Sequence, residues 1–287
     1  MGMFRVFMAV VLLMAASLAD GKTYIGKQED SVFVVRLLGE ARHLGKGENV
    51  PLFFARKFIG RPYVAHTLEV GDDRRVVVNT RQLDCTTLVE NVTALSLCIY
   101  QKRYAFNDFL DNLVRMRYHN GKMNGYISRL HYFTEWIVES GLKGIAVERQ
   151  TPNPPYSAVQ TVDVYFMSTH PNSYDALKKH PEYVKDIRKN EKAISGKSFR
   201  YIPKGKIKNT KLLRSSVRDG DIIAITCNKK GLDIAHLGFA VWRSDGLHLL
   251  NASMIHKKVV EEPMTLFEYL HKHPSHTGIR VLRICDK

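Results

Sequence analysis

The spacing of apolar residues changes near residue 220, and this change restricts the fold more than any other feature of the chain. Upstream of it, apolar side chains recur at helical spacing, whereas downstream they form short runs rich in β-branched residues. Ser244-Asp245-Gly246 supplies the turn chemistry of a hairpin between two of those runs. Helices followed by paired strands predict an α+β fold, with N-terminal helices packed on a C-terminal antiparallel sheet or half-barrel.

The same periodicity locates the individual elements. We predict helices over residues 30–41, 51–58, 85–100, 107–117, 128–140 and 174–195. We predict strands over residues 74–79, near 162–167, and over 221–226, 237–242, 247–252, 258–261 and 278–284. Residues 199–218 are expected to form a basic connector between the two halves.

A cysteine stands at the beginning of the predicted helix over residues 85–100. Asp84 is a good N-cap residue, and this puts Cys85 in the first helical turn. Unpaired N–H groups and positive potential at a helix N-terminus lower the pKa of a thiol and favour the thiolate. Cys85 is therefore a candidate nucleophile. The alternative is a buried cysteine that packs as a small apolar side chain.

A cysteine nucleophile needs a base and a group that orients the base. His236 precedes one apolar strand and Asn251 closes the next. If these strands pair through the turn at Asp245, the two residues meet at the open end of the hairpin, where Asn251 would hold one imidazole nitrogen and leave the other for the thiol. A structural histidine and a turn asparagine are the alternatives. His248 is the second candidate for the orienting group, but alternation turns it to the opposite face.

Residues 1–19 have the pattern of a cleaved export signal. Arg5 lies in a short basic region, residues 6–14 form an apolar run too short for an anchor, and small residues lead up to Ala19. We therefore expect residues 20–287 to be a single catalytic domain, exported to the periplasm or cell envelope, without an integral membrane span.

The formal net charge is +15. It favours anionic partners such as a cell-wall polymer, an acidic membrane surface or nucleic acid, although surplus lysine that only aids solubility is the alternative. No nucleic-acid recognition motif accompanies the charge, and export also argues against such a partner. If Cys85 is a working thiol, the other three cysteines cannot all pair, so a disulfide framework is not expected.

Several motifs together resemble those of the NlpC-type papain-like cell-wall hydrolases. They are Gly60-Arg61-Pro62-Tyr63-Val64, Asp84-Cys85-Thr86-Thr87, Gly220-Asp221-Ile222-Ile223, His236-Leu237-Gly238-Phe239 and Asn251-Ala252-Ser253. More narrowly, residues 63–69, 84–90, 128–132 and 231–236 resemble the N-acetylmuramoyl-L-alanine amidase-like branch. The family often has histidine where this chain has Asn251, and asparagine has the same orienting role in papain-like enzymes.

This resemblance implies a papain-like core with residues 101–215 as a helical elaboration beside the cleft. It implies a cysteine amidase that needs no metal or organic cofactor and cleaves the bond between N-acetylmuramic acid and L-alanine in peptidoglycan or muropeptides. The substrate-binding residues would be Tyr63, Glu69, Asp84, Arg129 and His131. Arg129 and His131 would bind peptide carboxylates; for Arg129, a helix-surface cation is the alternative.

Two other functions remain open at this stage. In a γ-D-glutamyl-diamino acid endopeptidase, Asp84 would bind the free amine of L-alanine. A wall-binding protein without catalytic activity would use only the basic surface. The sequence also leaves open whether intact wall or soluble fragments are the substrate, and the oligomeric state, for which a monomer is expected.

Overall fold

The computed structural model describes residues 24–70, 74–151 and 153–286. The predicted export signal, residues 1–19, lies outside these ranges. None of the helices inside them combines the length and apolar character that crossing a bilayer requires.

Helices and strands alternate irregularly along the described residues. The helices are α1 (Gln28–Ala41), α2 (Val50–Lys57), α3 (Cys85–Tyr100), α4 (Phe106–Arg117), α5 (Phe133–Leu142), α6 (Phe166–Thr169), α7 (Asp175–Lys179), α8 (Tyr183–Ile194), α9 (Lys211–Ser216) and α10 (Leu266–Lys272). The strands are β1 (Tyr24–Ile25), β2 (Val76–Val77), β3 (Ala146–Glu148), β4 (Ala158–Thr161), β5 (Ser198–Pro203), β6 (Ile222–Cys227), β7 (Ile234–Trp242), β8 (Leu247–Ser253), β9 (Lys258–Glu261) and β10 (His276–Ile284).

An eight-stranded antiparallel sheet runs in the order β4-β5-β10-β6-β7-β8-β9, and β3 also pairs with β10. β7 and β8 form the predicted hairpin, with Trp242 opposite Leu247. Every residue of β6 and β8 is buried, because both faces of the sheet are covered. The predicted α+β arrangement of helices and an antiparallel sheet is confirmed.

Separate apolar clusters cover the two faces of the sheet. On one face, Leu237 and Phe239 pack with side chains of α1 to α4. On the other face, Ala240 and Leu249 pack with side chains of α10. All residues of α3 from Thr87 to Cys98 are buried. A helix buried on every side belongs to the core, so the position of α3 is fixed along its length.

The segment over residues 101–215, predicted as a helical elaboration with one strand, contains more strand than predicted. This segment contributes β3, β4 and β5 to the main sheet, and α4 packs against α3. β5 was missed because its alternating residues Phe199 and Tyr201 stand among lysines and arginines that suggested a connector. The strand predicted near 162–167 is instead β4, followed by α6. α10 was not predicted.

Two predicted helices begin or continue differently in the structure. The helix predicted from residue 128 begins at Phe133, so Arg129 and His131 lie on irregular backbone before α5. The helix predicted over 174–195 is interrupted at His180, whose backbone is non-helical, and resumes as α8. The break has a local cause, since the residue before a proline, here Pro181, is disfavoured in helical conformation.

Candidate active site

Cys85 is the first residue of α3, and a capping box fixes this end of the helix. The Asp84 carboxylate accepts from the backbone N–H of Thr87 at 2.7 Å, and the Thr87 hydroxyl accepts from the N–H of Asp84 at 2.9 Å. Because the rest of α3 is buried, the backbone of Cys85 has little freedom to move.

His236 lies beside a bulge between β6 and β7. It is paired with Ile225, whereas the next residue of β6, Thr226, is paired with Ile234, so Ala235 is an additional residue on β7. A bulge changes the direction in which the neighbouring side chains point. Simple alternation along the strand therefore could not predict the direction of His236.

His236 is hydrogen-bonded to Asn251 on the adjacent strand. The Oδ1 atom of Asn251 lies 2.9 Å from Nε2 of His236. An amide oxygen only accepts, so Nε2 carries the hydrogen and the neutral ring keeps Nδ1 as its acceptor. The Nδ2 atom of Asn251 donates to Glu262 Oε1 at 3.0 Å and to the carbonyl of Leu249 at 3.4 Å. These contacts fix which end of the amide faces the histidine.

A cavity of about 300 Å³ opens beside the cysteine and the histidine. Among its lining residues are six of the predicted site residues: Glu69, Asp84, Cys85, Arg129, His131 and His236. Asn251 is fully buried behind His236. Tyr63 is not among the lining residues, but burial, followed by electrostatic interaction with Cys85 and Asp84, raises the pKa of its phenol to about 12. Tyr63 is therefore a protonated donor at neutral pH.

The resting thiol and imidazole are both neutral. Burial, and next the Asp84 carboxylate, raise the pKa of the Cys85 thiol to about 12, although the backbone N–H groups of Leu237 and Thr86 donate to the sulfur. Burial also lowers the pKa of His236, against the opposing effects of Asn251 and Glu262. The predicted lowering of the thiol pKa is wrong for the protein alone, since desolvation outweighs the helix terminus. Proton transfer from Cys85 to His236 must therefore accompany attack on a substrate.

Arg129 and Glu69 form the opposite wall. Arg129 is buried, its Nη1 donates to the carbonyl of Leu68 at 3.3 Å, and its Nη2 lies 3.9 Å from Glu69 Oε1. Its guanidinium also lies over the ring of Tyr126, 4.8 Å from the ring centre. The alternative prediction, a cation on a helix surface, is wrong for Arg129.

His131 lies beside Arg129 but is not a cation. Its Nε2 donates to the carbonyl of Tyr126 at 2.9 Å, which leaves Nδ1 as the acceptor. Burial, followed by the charge of Arg129, lowers the pKa of His131 to about 3. A neutral ring lacks the charge that the predicted binding of carboxylates requires, so His131 can act only through hydrogen bonds and stacking.

The second candidate for the orienting group lies elsewhere. His248 is fully buried, with Nδ1 2.9 Å from the carbonyl of Glu262 and Nε2 3.0 Å from Asp245 Oδ1. These contacts tie the β7–β8 turn to the segment after β9. His248 does not contact His236, as the alternation of the strand predicted.

The AmiA-like family model, described as N-acetylmuramoyl-L-alanine amidase-like, matches residues 53–279. The chain belongs to this family. The match includes all eight residues that the sequence analysis selected, from Tyr63 to Asn251. No curated protein matches the chain at a significant level.

Solved structures similar to this chain include one amidase. An N-acetylmuramoyl-L-alanine amidase from Bacteroides uniformis is 38% identical, with a TM-score of 0.76 over 84% of this chain and 99% of that one. A provisionally named xylanase from Bacteroides fragilis is 40% identical, with a TM-score of 0.74 over 80% and 99%. A Legionella pneumophila protein at 21% identity, with a TM-score of 0.69 over 90% and 95%, shares the fold.

In this AmiA-like chain, the sequence analysis missed the aromatic wall of the cavity. Phe133 and Trp136 stack with ring centres 4.8 Å apart and both line the cavity. Their helical spacing indicated only a core face. Asp233 was also missed: its carboxylate accepts from the N–H of Thr134 at 2.6 Å and so joins the start of α5 to the start of β7. No signal in the sequence pairs Asp233 with that helix.

Proposed function

We propose that the protein is an exported cysteine amidase with a papain-like core of the NlpC type, which cleaves the amide between N-acetylmuramic acid and L-alanine in peptidoglycan or its fragments. The observation that carries this proposal is one cavity lined by both Cys85 and His236, with Asn251 holding the far nitrogen of the imidazole. Family membership supports amidase chemistry on the cell wall.

In the first step, the sulfur of Cys85 attacks the carbonyl carbon of the lactyl group while Nδ1 of His236 takes the thiol proton. Both groups start neutral, so the step creates an imidazolium and an oxyanion together. The N–H of Cys85 at the helix start and the protonated hydroxyl of Tyr63 are the donors for the oxyanion. Asn251 stabilises the imidazolium through its Oδ1 atom.

In the second step, the imidazolium protonates the nitrogen of L-alanine, the C–N bond breaks and the peptide leaves. Neutral His236 then takes a proton from water, and the resulting hydroxide attacks the thioester. Breakdown of the second oxyanion expels the sulfur, which takes the proton back from His236, and releases the muramic acid carboxyl group, which then loses its own proton to solvent. The cycle balances with one water consumed and needs no further reactant.

The opposite wall is proposed to bind the peptide. Arg129 offers the positive charge for a carboxylate, and His131 offers a neutral hydrogen-bonding ring beside it. Phe133 and Trp136 supply apolar surface for the lactyl and alanyl methyl groups.

The test is mass spectrometry of defined muropeptides incubated with wild type and with Cys85→Ala. Peptide that begins with L-alanine, released by wild type only, is the expected result. Cys285→Ala is the matched control, because Cys285 is partly exposed and is not a lining residue of the cavity. Cleavage by Cys85→Ala, or its loss in Cys285→Ala, would contradict the assignment of the nucleophile.

Two alternative functions give different products. A γ-D-glutamyl-diamino acid endopeptidase would instead release L-alanyl-D-glutamate from peptides whose L-alanine amine is free. Asp84, the proposed partner of that amine, lines the cavity, but its carboxylate also serves the helix cap. A wall-binding protein would release no product, and its Cys85→Ala variant would bind sacculi as well as wild type does.

Export is tested separately, by N-terminal sequencing of protein from the envelope fraction. A mature N-terminus after Ala19 is expected.

A further inference from the structure

Glu262, directly after β9, is a buried carboxylate next to the proposed catalytic groups. It is 1% exposed. Its Oε1 accepts from Asn251 at 3.0 Å, and its Oε2 lies 3.1 Å from Nε2 of His256. Burying a carboxylate is costly unless it is hydrogen-bonded, so its presence here needs a reason.

The backbone of Glu262 is held as firmly as its side chain. Its N–H donates to the carbonyl of Leu249 at 2.9 Å, and its carbonyl accepts from Nδ1 of His248 at 2.9 Å. The carboxylate is thus held in position from both neighbouring segments. It belongs to a hydrogen-bonded series of four side chains, His236, Asn251, Glu262 and His256, which we call the Glu262 network.

The first effect of this network concerns orientation. A carboxylate accepts only, so the Nδ2 end of Asn251 must face Glu262 and the Oδ1 end must face His236. The reverse orientation would set the amide oxygen against the carboxylate. The Glu262 network therefore fixes the ring tautomer that leaves Nδ1 of His236 as the base.

The second effect concerns charge. The groups that act electrostatically on His236 come from several elements: Glu262 after β9, Asp84 before α3, and His273 after α10. Tyr269 of α10 lies 6.4 Å from the ring centre of His236, and His236 in turn acts on His276 of β10. Among these groups, the carboxylates of Glu262 and Asp84 carry the negative charge that favours an imidazolium, and Glu262 is coupled to the ring through the hydrogen-bonded amide of Asn251.

We propose that Glu262 is a positioning residue for the reaction. It holds the side-chain amide of Asn251 in the orientation that His236 needs, and it supplies the negative charge that a triad aspartate would place directly beside the imidazole. This inference rests on the proposed function, because it assigns His236 as the base. His256, whose side chain is 37% exposed, contacts the second oxygen of the Glu262 carboxylate.

The decisive experiment measures alkylation of Cys85 by iodoacetamide across pH, with the modified cysteine identified by peptide mass spectrometry. It needs no cell-wall substrate, so its result does not depend on whether the protein is an amidase. Glu262→Gln keeps the shape and an acceptor for Asn251 but removes the charge. Glu261→Gln is the matched control, since Glu261 is the preceding residue and its carboxylate pairs with Arg56 and Arg243 instead.

At pH 7, alkylation in Glu262→Gln is expected to fall about tenfold, because one unit of pKa in the proton acceptor corresponds to about that factor. The acid limb of the profile should also move to lower pH, since His236 loses a stabilising charge. With muropeptide, kcat should fall similarly and KM should change less than about twofold. Glu261→Gln should match wild type. Equal profiles for the two variants would overturn the proposal.

Two further variants keep the test decisive. In an Asn251→Ala background, Glu262→Gln should lower the alkylation of Cys85 by less than about twofold, because the coupling between Glu262 and His236 passes through the Asn251 amide. An undiminished effect would overturn the positioning role.

His256→Ala removes a partly exposed side chain and should fold even if Glu262→Gln does not. It removes one of the two side-chain donors to the Glu262 carboxylate and should slow alkylation of Cys85 at pH 7, by a smaller factor than Glu262→Gln does. An unchanged rate of alkylation would contradict the network.

Discussion

Two of the three histidines that line the cavity share most of their chemistry. His236 and His131 both donate from Nε2 to an oxygen 2.9 Å away, and both keep Nδ1 as acceptor. Burial is the main reason that the pKa of each ring is lowered. By burial and hydrogen bonding alone, either ring is a possible base.

The difference between them is the charge behind the ring. Glu262 and Asp84 act on His236 and favour its protonated form. Burial is the main cause that lowers the pKa of His131 to about 3, and the charges of Arg129 and His119 add to it. Only His236 can accept a proton and hold it as an imidazolium during the reaction. Identical rings in one cavity are thus assigned different roles by the sign of the neighbouring charges.

The largest expected effect comes from removing one ring at a time. His236→Ala should lower kcat by at least about a thousandfold, because the thiol loses its base. His131→Ala should lower kcat by less than about fivefold. Both are measured by steady-state release of peptide from a defined muropeptide. Comparable losses in kcat would break the distinction between the two rings.

The next effect concerns the group that holds the base. Asn251→Ala should lower kcat by about ten- to a hundredfold, less than loss of the base, because a misoriented His236 still accepts protons part of the time. Leu247→Ala, at a buried residue at the other end of β8, is a control for general disturbance of the strand. If circular dichroism shows both variants folded, only Asn251→Ala should lose activity.

A smaller effect is expected at the peptide-binding wall. His131→Gln should raise KM about tenfold and leave kcat within about threefold, because a neutral ring contributes to binding rather than to proton transfer. Arg129→Gln should also raise KM, most strongly for muropeptides with the free carboxylate. A fall in kcat at unchanged KM would indicate that this wall takes part in the chemistry.

The pH dependence of kcat/KM also distinguishes His236 from His131. His236 must be neutral to take the thiol proton, and its pKa lies below the usual 6.5. The decrease of kcat/KM at acid pH, the acid limb of the profile, should therefore begin only below pH 6.5. The thiol has a pKa of about 12, so no second transition from Cys85 is expected between pH 7 and 9. His131→Gln should leave the acid limb where it is. A limb above pH 6.5 in wild type would contradict a neutral resting pair.

Much of this arrangement could be predicted because its signals are local. The bounds of α3, the cap at Asp84 and the β7–β8 hairpin follow from spacing and turn chemistry over a few residues. The environment of each ring could not be predicted, because Glu262 and Arg129 reach the histidines only through the folded chain. The bulge at Ala235 and the desolvation of Cys85 are likewise products of packing, so the predicted thiol pKa was wrong even though the helix position was right.

The smallest effect concerns Asp84, which caps α3 and whose negative charge also acts on His236. Asp84→Ala should lower the free energy of unfolding by about 1 kcal/mol, measured by urea titration, whereas Asp84→Asn should be near wild type because asparagine caps equally well. Thr265→Ala removes the corresponding cap of α10 and should cost a similar amount. Asp84→Asn should still shift the acid limb to lower pH, since it removes one of two carboxylates that favour a protonated His236. An unshifted limb in a stable Asp84→Asn protein would leave Glu262 as the sole source of that negative charge.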